Sequence, residues 1–106
     1  MNEKTLSLDF VVKSSNLCSF LSSEKSENLI SKKFFDAVCL LSECAYSIKN
    51  PQLSKAETAT LRKDASLASD RIQMYLNVLY MTGYLSEAQK DSMLHSLGTL
   101  KKEINI

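Results

Sequence analysis

A chain of 106 residues that is 44% hydrophobic and 24% charged can bury one core and is too apolar to remain disordered. Its 13 basic and 12 acidic side chains leave a formal charge of +1, which excludes the broad basic excess of a dedicated nucleic-acid binder; such binding would need a local patch. With two glycines and one proline, the backbone has few punctuation points, and each is informative.

The opening, MNEKTLSLDFVVKSS, holds no apolar run long enough for a secretory signal, and no later stretch approaches the roughly 18 residues of a membrane span. The expected address is the cytoplasm, with no membrane partner. Leu6, Phe10, Leu17 and Leu21 recur at helical spacing and predict a first helix over residues 5–22, followed by the polar loop SSEKSEN at 22–28. Ile30, Phe34, Ala37, Val38, Leu41, Ala45 and Ile48 predict a second helix over 28–49, which ends because Pro51 disfavours helical geometry at Asn50.

SKAE at Ser54 to Glu57 is a capping box, in which the serine hydroxyl accepts from an early helical amide and the glutamate reaches back to the serine amide. It opens a third helix over 54–82, with a stripe of Leu61, Ala65, Ala68, Ile72, Tyr75, Leu76 and Leu79. Gly83 can take the left-handed conformation that closes this helix. SEAQ at Ser86 to Gln89 is a second capping box, opening a fourth helix over 86–104 with Met93, Leu97, Leu100 and Ile104 inward. The stretch LYMTGYLSEAQ, residues 79–89, therefore reads as a corner rather than a working site.

No strand-like alternation and no internal repeat is evident. Four amphipathic helices with short connections predict an all-α, antiparallel up-down-up-down four-helix bundle. It should be elongated, because the third helix would be about 40 Å long at about 1.5 Å per residue.

Two helices carry apolar residues on a second side. Phe35, Cys39 and Tyr46 lie away from the main stripe of the second helix, and Leu67, Met74, Val78 and Met81 lie roughly opposite that of the third. Large apolar side chains in such positions mark a contact surface, and these seven residues are the expected subunit interface. The alternative is a third helix that is central in an irregular core and buries more of its circumference.

Reaction chemistry is not signposted. His95 is the only histidine and falls on the polar side of the fourth helix; Asp36, Glu43, Asp64 and Asp70 stand singly, without His or Cys at ligand spacing. Cys18, Cys39 and Cys44 are odd in number and sit in apolar helical contexts, where a thiol behaves as a small hydrophobe. Gly83 and Gly98 stand alone, so there is no phosphate loop. The expectation is no enzyme activity, no catalytic or metal residues, no cofactor and no small-molecule substrate. Lys32, Lys33, Arg62, Lys63 and Arg71 are the candidate nucleic-acid contacts, although neighbouring acids dilute their charge.

The segment ASLASDRIQMYLNVLYMTGYLSEAQKDSMLHSLGTLKKEI, together with VVKSSNLCSFLSSEKSENLISKK, resembles the four-helix-bundle proteins encoded in intervening sequences of bacterial 23S ribosomal RNA genes. That superfamily also holds the accessory variability determinant (Avd) of diversity-generating retroelements. The likeness runs from about Asp9 to Ile104 and rests on packing and capping signatures. It implies a homo-oligomer, five-fold in known members, and in the retroelement branch a barrel that binds a reverse transcriptase and nucleic acid. The second helix departs from the family pattern: Asp36 stands at the arginine position, Cys44 at the asparagine and Ser47 at the glutamate. An acid in place of a base is unfavourable for contact with RNA or DNA.

The expected function is thus that of a non-enzymatic ring, pentameric by resemblance, acting as an assembly or adaptor surface toward itself and toward RNA, DNA or a reverse transcriptase. The alternative is a protein-interaction module that docks a different chain through its second apolar face, with no nucleic-acid role. Near-neutral charge favours the alternative.

Overall fold

The computed structural model describes residues 8–17 and 29–106, whose regular elements are all helices. We number them α1 (residues 8–17), α2 (Leu29–Ile48), α3 (Lys55–Met81) and α4 (Glu87–Ile104). The architecture is the expected all-α four-helix bundle. Leu6, Cys18, Leu21, the outer parts of the expected first helix and the loop at 22–28 lie outside the described residues. The bundle measures 44 × 25 × 19 Å, its long dimension matching the 27 residues of α3 at about 1.5 Å each.

One apolar cluster joins the four helices. Phe10 and Leu17 enter it from α1, Phe34, Val38 and Leu41 from α2, Ile72, Leu76 and Leu79 from α3, and Leu97, Leu100 and Ile104 from α4. Burying a side chain of this size contributes about 1.5–3 kcal/mol. Lys13 of α1 also donates to Ser96 Oγ of α4 at 3.2 Å. Ser14 and Ser69 are fully buried, and their hydroxyls have no hydrogen-bond partner among the described residues.

Local chemistry sets the helix ends. At Ser54 the capping box is formed: Ser54 N donates to Glu57 Oε1 and Glu57 N donates to Ser54 Oγ, each at 3.1 Å. The hydrogen bond from the Ser54 amide, then that with the Ser54 side chain, holds the Glu57 carboxyl below its ordinary pKa. Ser86 repeats the motif, with Ser86 N to Gln89 Oε1 at 2.8 Å and Gln89 N to Ser86 Oγ at 3.1 Å. Between α2 and α3, Asn50 Oδ1 accepts from Gln52 N at 3.0 Å and shapes the turn around Pro51.

The stop after α3 is a Schellman closure. Tyr84 N donates to Leu79 O at 2.9 Å and Gly83 N to Tyr80 O at 3.1 Å, while Gly83 holds φ at 85°. Leu85 then turns into the core, and Lys90 Nζ stands 4.3 Å from the centroid of the Tyr80 ring. The tract at 79–89 is therefore a corner, as its residue types imply. A Cβ at Gly83 would meet nothing within 4 Å, so Gly83→Ala suffers only the left-handed backbone penalty. Thermal unfolding should report a loss of about 1–2 kcal/mol; an unchanged midpoint would contradict the closure.

Candidate functional site

On α3, the buried residues Ala65, Ala68, Ser69, Ile72, Leu76 and Leu79 define the inward face. The opposite side carries a second row. Leu67 is 50% exposed, Met74 51% and Met81 81%, with Val78 half-buried beside them. The row is apolar at positions seven residues apart, Leu67, Met74 and Met81, because a helix returns to nearly the same azimuth after two turns.

The α2 residues are placed differently. Tyr46 is 50% exposed, but Phe35 and Cys39 are half-buried. Their offset from the core is smaller than the apolar stripe alone implies, because buried Ser31 and Ser42 widen the inward arc of α2 toward that flank. Cys39 and Tyr46 share a groove of about 370 Å³ with Leu8, Val11, Ser42, Glu43 and Ser47. Leu8 and Val12 of α1 are each 58% exposed, so α1 adds to the apolar surface. Sequence reading missed them, although the consecutive Phe10, Val11 and Val12 are more apolar residues than one helical stripe can use.

Both described thiols lie on α2. Burial pushes the Cys39 thiol above its ordinary pKa, with further contributions from the charges of Glu43 and Asp36. Burial does the same for Cys44, followed by Asp64 and Glu43. Because the thiolate is the reactive form, iodoacetamide at neutral pH should modify half-buried Cys39 slowly and buried Cys44 more slowly still. Peptide mass spectrometry over a time course checks this, and Cys44 labelling ahead of Cys39 would contradict it.

The five candidate basic residues are divided among several surfaces of the protomer. Lys33 and Arg71 meet across a groove of about 310 Å³ lined also by Asp36, Ala37, Leu40 and Tyr75. Arg62 is turned the other way, its Nε donating to Ile104 O at the end of α4 at 3.3 Å. Lys32 and Lys63 are exposed. Asp36 thus lines the same groove as Lys33 and Arg71. Leu40, which sequence reading assigned no role, is part of that groove.

His95 is exposed on α4. Among the described residues no group of three His, Cys, Asp or Glu side chains is placed to hold a metal ion, and no helix is long and apolar enough to cross a membrane.

No family model matches the sequence, and no curated protein matches it. Among solved structures, the chain is similar to a protein of unknown function from the S23 ribosomal protein family of Bacteroides thetaiotaomicron VPI-5482. The TM-score is 0.86, at 24% identity, over 96% of this chain and 94% of that one. The two share a fold. Coverage of nearly both chains means that the likeness extends over the whole fold.

Proposed function

We propose that this chain is a non-enzymatic helical bundle that assembles with copies of itself and serves as an adaptor surface. The exposed row of Leu67, Met74 and Met81 on α3 is the observation that carries this reading. Isolated apolar residues on a surface need no explanation, but a row of large ones along two turns and more of one helix marks an interface. The resemblance to the intervening-sequence and Avd proteins supports a closed ring of identical subunits, five-fold in its sharpest form. The S23-family structure supports the same affiliation through its fold. Sedimentation velocity at micromolar concentration tests the proposal: an assembled species is expected, and a monomer throughout would refute it.

A nucleic-acid or reverse-transcriptase contact is the finer version. It draws support from Lys33 and Arg71, whose bases converge between α2 and α3, and gains strength if assembly repeats that pair around a ring. Binding of structured RNA or DNA should then weaken steeply with added salt, as counterion release requires. A second reading, docking of a different protein without nucleic acid, is favoured by Asp36 in the same groove. No retention of nucleic acid at low salt would select it.

A further inference from the structure

The two exposed apolar features differ in form. On α3, Leu67, Arg71, Met74, Val78 and Met81 follow one another at alternating intervals of four and three residues, the spacing with which one helix lies along another. They make a ridge. Between α1 and α2, Leu8, Val11, Cys39 and Tyr46 line a groove whose charged member is Glu43. We infer that the α3 ridge of one copy seats in the α1–α2 groove of the next, as a head-to-tail contact. This rests on the proposed self-assembly, adds which faces meet, and takes Arg71 into the subunit contact, leaving Lys33 as the member of the α2–α3 pair that faces away from it.

Shape and charge both select this pairing. Ridge against ridge would leave the groove empty and the exposed Leu8 and Tyr46 uncovered, whereas ridge into groove covers both apolar surfaces in one contact. Ridge against ridge would also leave Arg71 facing no acid, since none of the five ridge residues is a carboxylate. In the head-to-tail arrangement Arg71 approaches Glu43, the acid that lines the α1–α2 groove beside Cys39, so the groove offers the sign of charge that an arginine requires. A contact between two different patches also repeats in one rotational sense and closes into a ring where that rotation closes, as the proposed assembly requires, whereas a self-complementary patch stops at a dimer.

Cys39 is a native reporter for the contact. In full-length protein carrying Cys18→Ser and Cys44→Ala, single substitutions Leu67→Cys, Met74→Cys, Val78→Cys and Met81→Cys would be oxidised mildly and separated without reductant. At least one is expected to give dimers and higher multimers that vanish when Cys39→Ser is added. A disulfide-linked dimer that survives Cys39→Ser joins ridge to ridge and overturns the inference, while leaving self-assembly standing. Failure of all four positions to link to Cys39 overturns it as well. A second measurement does not depend on disulfides: the groove variant Leu8→Glu/Tyr46→Glu should sediment as a monomer of 11.9 kDa where the wild type is assembled, with unchanged far-ultraviolet circular dichroism. A groove variant that assembles like wild type sinks the head-to-tail arrangement; a wild type that is itself monomeric sinks the self-assembly as well.

Discussion

Met74→Glu/Met81→Glu is expected to break the proposed assembly while leaving the folded protomer intact. Fully burying a methionine contributes about 1.5–3 kcal/mol, and these two side chains are 51% and 81% exposed in the protomer, so most of that gain is still available to a partner. Losing about 2–4 kcal/mol per contact weakens association by roughly 30- to 1,000-fold, since each 1.4 kcal/mol is about tenfold. Placing a carboxylate in the contact adds a desolvation cost in the same direction. Within the protomer neither side chain is part of the core, so the unfolding free energy should move by no more than about 0.5 kcal/mol. Sedimentation velocity and thermal melting, run on the same preparations, separate the two effects. Assembly equal to wild type would remove α3 from the interface, and loss of folding would show that the row supports the core.

The adjacent phenylalanines give the second large effect. Phe34 is fully buried and Phe35 half-buried, because consecutive helical residues are rotated by about 100°. Phe34→Ala should cost about 3–5 kcal/mol by removing apolar burial and leaving a cavity. For a chain of this length that lowers the melting midpoint by about 15–30 °C, a large part of the stability of a typical domain. Phe35→Ala should cost the protomer less than half as much. Equal losses at the two positions would mean that Phe35 belongs to the core. Chemical denaturation of both variants at a concentration where the proposed assembly is dissociated provides the comparison.

Most of the fold was legible because the helix ends are written in short-range chemistry. Pro51, the two capping boxes and Gly83 each act within a few residues, so their spacing alone places the four edges of the α2–α3 and α3–α4 connections. The α3 row was legible for a related reason: Leu67, Met74 and Met81 recur every two turns and need no neighbour to define their azimuth. The groove was not. Its walls come from α1 and α2, and periodicity within one helix does not fix how that helix is rotated against another. For this reason Leu8 and Val12 carried no visible role, and Phe35 was placed farther from the core than buried Ser31 and Ser42 allow. The meeting of Lys33 with Arg71 likewise depends on the setting of α2 against α3, which decides that they share a groove with Asp36 while Arg62 reaches Ile104.

The Schellman closure after α3 has an effect on association as well as on the fold. The carbonyls of Leu79 and Tyr80 are already occupied by the amides of Tyr84 and Gly83, so the last turn, which carries Val78 and Met81, is tied down before any second molecule arrives. Helix termini otherwise fray, and a frayed docking turn must lose conformational freedom on binding. Here that loss is taken during folding, so the end of α3 would meet the proposed second copy with its last turn already ordered.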